Sequence, residues 1–85
     1  MDTFKGDIAG KQFYFKPQKD GVSYVVEPYR QTGMKSFKLV QRDPQQVDDK
    51  QKREWQIPDT ENVTDEIRGM EAQFSDSVQE RRNTP

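Results

Sequence analysis

The sequence predicts an α+β fold: a five-stranded antiparallel β-meander in the order 1-2-3-4-5, with one C-terminal α-helix packed across one face. Three observations carry this expectation. Five short runs alternate apolar and polar residues, two of their connections have the chemistry of tight hairpin turns, and after Pro58 the apolar spacing changes from two to three or four.

Phe4, Gly6 and Ile8 share one parity and lead into Ala9-Gly10, which reads as a two-residue turn. Phe13 and Phe15 follow, and Lys19-Asp20-Gly21 marks a second turn before Val22, Tyr24 and Val26. Asp-Gly between alternating runs is a strong hairpin signal. The two turns fix a register: Ile8 faces Lys11, Phe4 faces Phe15, Gly6 faces Phe13, and Phe15 faces Val26. Directly opposed residues share a face, so Phe4, Ile8, Phe13, Phe15, Val22, Tyr24 and Val26 are expected to point into one core.

Met34 to Gln41 forms the fourth run, with Phe37 and Leu39 inward and Ser36, Lys38 and Val40 outward. Arg53 to Ile57 forms the fifth, with Trp55 and Ile57 inward. The connection 41–52 is polar and long for a hairpin loop, and the pattern does not decide whether it is ordered. From Asp59 or Thr60 a helix is expected to run to residue 82, its apolar stripe made by Val63, Ile67, Met70, Phe74 and Val78. Glu61, Asp65 and Glu66 near its start and Arg81 and Arg82 near its end suit the helix dipole. Gly69 lies off that stripe, without an evident reason for a glycine in mid-helix. Residues 83–85 read as a disordered tail. The expected organisation is thus one domain over 1–85, with a sheet over 1–58 and a helix over 59–82.

Composition bounds the chemistry. The 85 residues include neither histidine nor cysteine, which removes imidazole proton shuttling, thiol nucleophiles and the preferred ligands of zinc. The carboxylate pairs Asp48-Asp49 and Asp65-Glu66 read as solvated neighbours, and Ser75 and Ser77 read as helix-surface serines without a base. No enzymatic activity, cofactor or metal is therefore expected. Gly6-Asp7-Ile8-Ala9-Gly10-Lys11-Gln12 is one residue short of a phosphate-binding loop and lacks its Ser/Thr, so it reads as a hairpin.

The net charge is −1, with 11 Lys/Arg against 8 Asp/Glu in residues 1–58 and 3 against 7 in residues 59–85. No global field draws such a chain to nucleic acid or to a membrane surface. No run of apolar residues is long enough to span a bilayer and no leader is apparent, so a cytoplasmic location is expected.

The face opposite the core carries Lys5, Gln12, Tyr14, Lys16, Val25, Lys38 and Val40, with Tyr29, Arg30 and Lys35 in or beside the following turn, and Asp7, Glu27 and Glu54 dilute its positive charge. Tyr14, Lys16, Val25, Tyr29, Arg30, Lys38 and Val40 make the candidate binding surface. Two functions fit it. The first is a protein-interaction or adaptor module, which the mixed charge favours. The alternative is a weak single-stranded nucleic-acid binder using stacking aromatics and a cationic groove. Strands 1 and 5 are expected to be open edges at which another protein or a second copy adds a strand.

Overall fold

The computed structural model describes residues 2–30, 33–42 and 55–83. Strands β1 (Phe4–Ile8), β2 (Lys11–Pro17), β3 (Ser23–Pro28), β4 (Phe37–Gln41) and β5 (Trp55–Gln56) form one antiparallel sheet in the order β1-β2-β3-β4-β5. The sheet curls into a half-barrel, and helices α1 (Asp65–Gly69) and α2 (Glu71–Asn83) follow, α2 contacting β5 and β1. The loop segment 43–52 and the strand residues Arg53 and Glu54 lie outside the described residues.

Turn chemistry sets the register as the sequence predicts. Ile8 pairs with Lys11, Phe4 with Phe15 and Gly6 with Phe13, while Phe15 pairs with Val26. Ala9 and Gly10 both take left-handed backbone, with φ of 52° and 79°, the requirement of a type I′ hairpin turn. The second hairpin closes differently at its tip. Asp20 Oδ1 accepts from the Val22 and Ser23 N–H groups at 2.9 and 3.0 Å, and its Oδ2 accepts from Ser23 Oγ at 2.7 Å. That carboxylate draws Val22 into the turn, so Val22 is 49% exposed rather than part of the core.

The concave face is almost entirely aromatic and aliphatic. Phe74 of α2 meets Phe13 edge-on at 5.0 Å and Phe37 at 5.2 Å, and Trp55 meets Tyr24 at 5.1 Å. Phe4 and Phe15 stack at 4.8 Å. The Phe15 ring also lies over Gly6, where a Cβ would come within 2.7 Å of its Cε1. The glycine in β1 is thus a seat for an aromatic ring. Met34, ahead of β4, and Val63, ahead of α1, pack on the same cluster from the loops.

The helical region departs from the sequence expectation in two ways. It begins at Asp65, not at Asp59 or Thr60, because Thr64 Oγ1 caps the Ile67 N–H at 3.2 Å. The preceding turn is held by Arg68, which donates to the carbonyls of Ile57, Pro58 and Glu61 at 3.3, 3.0 and 2.9 Å. Helical geometry is also interrupted at Met70, whose N–H donates to Ile67 O at 3.0 Å while its own carbonyl accepts from Gln73 and Phe74. Gly69 therefore ends a short helix instead of sitting inside a long one, and no atom beyond its chain neighbours and its own helix backbone lies within 4 Å of its would-be Cβ. Asn83 belongs to α2, so the expected tail loses its first residue.

Ser75 is the clearest correction. It is 1% exposed, not a surface serine, and its Oγ accepts from the Trp55 N–H at 3.1 Å. One turn earlier, Glu71 Oε2 accepts from the Ile57 N–H at 2.9 Å. One turn later, Gln79 Oε1 accepts from Trp55 Nε1 at 3.4 Å. Positions four apart on a helix advance by about 6 Å, and alternate strand residues advance by about 6.8 Å. Glu71 and Ser75 thus match the outward main-chain N–H groups of Ile57 and Trp55, and Gln79 continues this ridge of acceptors to the Trp55 indole. Among the described residues, the expectation of an open edge at strand 5 does not hold at Trp55 and Ile57, where side chains of α2 occupy it.

Candidate binding surface on the outer sheet face

Period-two alternation sends every second side chain of the sheet away from the core, and the register then decides which of them meet. Lys5 faces Tyr14 and Tyr14 faces Glu27. Lys16 faces Val25, and Val25 faces Lys38. Ser23 faces Val40, which faces Gln56. The seven residues singled out from the sequence consequently separate into three neighbourhoods.

Tyr14, Tyr29 and Arg30 come together. The Tyr29 N–H donates to Gln12 O at 3.0 Å, which extends the β2–β3 ladder by one residue and brings its ring back over β2. The two tyrosine rings meet edge to face at 5.1 Å. Arg30 follows in left-handed backbone, φ 56°, which turns its guanidinium to within 5.0 Å of the Tyr29 ring centroid. Lys5 adds its ammonium at 4.9 Å. The rings are half-buried against one another rather than splayed into solvent.

Lys16, Val25 and Lys38 form a second row. Lys16 Nζ is paired with Glu27 Oε2 at 2.5 Å, both side chains being substantially exposed, so most of its charge is answered within the face. Val25 lies half-buried between the two lysine stems. Lys38 is exposed, and its main-chain N–H is held by Glu61 Oε1 at 2.5 Å. Val40 stands apart, at the β5 end of the sheet beside Ser23 and Gln56.

Two residues of the same face beyond the seven also take part: Lys5, which caps the tyrosine pair, and Glu27, which pairs with Lys16. Both were within reach of the register, since the Ala9-Gly10 turn already places Lys5 opposite Tyr14 and the Asp20-Gly21 turn places Glu27 opposite it. Among the described residues no three acidic side chains converge as a metal site would require. The described helices include none long and apolar enough to cross a membrane. Comparison with family models, with curated proteins and with solved structures finds no match for this chain.

Proposed function

We propose that this protein is a non-enzymatic interaction module, an adaptor that binds another protein through the outer sheet face around Tyr14, Tyr29 and Arg30. The observation that carries the reading is the edge-to-face tyrosine pair with two cations drawn against it. Tyrosine and arginine dominate the energetics of protein interfaces, because they offer large contact area with a polar tip. Here their mutual packing holds the rings in place before a partner arrives, which lowers the entropic cost of association.

The same geometry argues against the nucleic-acid reading. A stacking platform needs an open ring face, and the π surface of Tyr29 is already engaged by Lys5 and Arg30. Lys16, a cation of the same face, is ion-paired with Glu27. Affinity capture from the source cell tests the proposal. A partner protein retained by the wild type and lost with both Tyr14→Ala and Tyr29→Ala is the expected result. Micromolar or tighter binding of single-stranded nucleic acid at physiological salt, weakened by Tyr14→Ala, Lys16→Ala or Lys38→Ala and falling steeply with added salt, replaces it with the alternative.

A further inference from the structure

With β5 closed by α2, β1 is the sheet edge whose main chain lacks a partner among the described residues. The hairpin turn decides which groups face outward. Residues flanking a two-residue turn exchange both hydrogen bonds, and bonded pairs then alternate. Ile8, Gly6 and Phe4 therefore bond to β2, while Lys5 and Asp7 turn their N–H and C=O groups away from it. Gln12 confirms the phase: its carbonyl accepts from Tyr29 and so points toward β3, which leaves Asp7 opposite it unbonded. Neither Lys5 nor Asp7 has a further main-chain partner among the described residues. On the helix side a cleft of about 360 Å³ opens between β1 and Ser77, Glu80 and Arg81 of α2.

We propose that β1 pairs antiparallel with β1 of a second copy, centred on Gly6. Charge selects this register. Only residues that both point outward can exchange main-chain hydrogen bonds, so the choice lies among registers that differ by two residues. Setting Lys5 against Lys5 of the second copy opposes like charges, and so does setting Asp7 against Asp7. The intermediate register sets Lys5 against Asp7 twice, on the same face, and on the inner face it sets Phe4 against Ile8. A lysine on an edge strand usually discourages such pairing, but here the alternating aspartate makes the edge complementary to itself. The two-fold axis stands perpendicular to the sheet, so the two copies form one continuous ten-stranded surface with both α2 helices on the same side.

Sedimentation velocity from micromolar to millimolar protein tests the pairing, with folding monitored through Trp55 fluorescence. The wild type should dimerise reversibly. Lys5→Asp or Asp7→Lys alone should weaken the dimer by about tenfold through like-charge opposition, and the double exchange K5D/D7K should restore it. Asp7→Pro should abolish the dimer while keeping the fold, since it removes an outward N–H that β2 does not use. Tyr14→Ala should leave the dimer unchanged, so this proposal and the proposed function fail separately. A wild type that is monomeric at millimolar concentration overturns the inference. So does a dimer indifferent to the charge variants, or an extended foreign peptide that fills the cleft of a chain remaining monomeric.

Discussion

Replacing Ser75 by alanine removes one oxygen and almost no volume, so it isolates the hydrogen bond that α2 makes to β5. The Trp55 N–H would lose its acceptor at a position where Trp55 is fully buried and Ser75 is 1% exposed. Leaving a buried donor unsatisfied costs about 1–3 kcal/mol. Alanine is the better helix former by roughly 0.5 kcal/mol, which offsets part of the loss. The expected net destabilisation is about 0.5–2.5 kcal/mol, and each kcal/mol lowers Tm by roughly 4–8 °C in a domain of this size. Urea unfolding monitored by Trp55, the one tryptophan of the chain, reads it directly. Ser77→Ala is the control: Ser77 is half-exposed, and its replacement should be neutral or slightly stabilising. Finding Ser75→Ala as stable as Ser77→Ala would refute the claim that side chains of α2 close the sheet edge.

Two further outcomes follow from the turns. Ala9 holds φ 52°, a conformation that costs a side chain roughly 1–2 kcal/mol and that glycine or asparagine tolerates; Ala9→Asn should therefore raise the urea midpoint, and an unchanged or lower midpoint would contradict the type I′ assignment. Asp20 should titrate below its ordinary value of 3.8, chiefly because Ser23 Oγ donates to it and next because the Val22 N–H does; desolvation opposes them, and the Ser23 N–H and the charge of Lys38 add smaller contributions. A depressed carboxylate contributes stability that is fully present above the unfolded value and is lost as pH falls through the folded one. Asp20→Asn keeps an acceptor oxygen without the titration, so its stability should fall less than that of the wild type below pH 3.8, as measured by urea midpoints across the acid range; parallel acid profiles would count against it.

Local chemistry made the meander legible. Ala-Gly and Asp-Gly turns fix the phase of three strands, and one phase decides every facing pair among them, including Lys5 with Tyr14. The helix was harder to read because its apolar stripe continues unbroken through a change in backbone. Val63 keeps the helical spacing while packing from a loop, and Thr64 wins the capping role over Asp59 and Thr60 through contacts that no spacing reveals. Ser75 stands about one side chain's width off the centre of the stripe, where helix positions usually meet solvent. Its burial comes from the position of β5, although Glu71, Ser75 and Gln79 at steps of four already spell a row of acceptors. The outer face was legible residue by residue, and the register already set Glu27 near Lys16, but the gathering of Tyr29 and Arg30 onto Tyr14 needed the geometry after Pro28.

The acceptor ridge on α2 also dictates an order of events at synthesis. β5 contributes two ladder pairs to β4, Val40 with Gln56 and Gln41 with Trp55, and its other side is held by residues that the ribosome adds later. A nascent chain that has reached Gln41 can form the three hairpins of β1 to β4, yet Phe13, Phe15, Phe37 and Leu39 then line an uncovered surface. At about 5–20 residues per second, that surface stays bare for a time on the order of seconds, until Phe74 and Val78 arrive to cover it. A polypeptide cut off between β4 and α2 would hold that exposed state permanently. Such a fragment would be less a smaller form of this protein than a sheet with a bare apolar face, the kind of surface that promotes aggregation, and the helix is the element that covers it each time a copy is made.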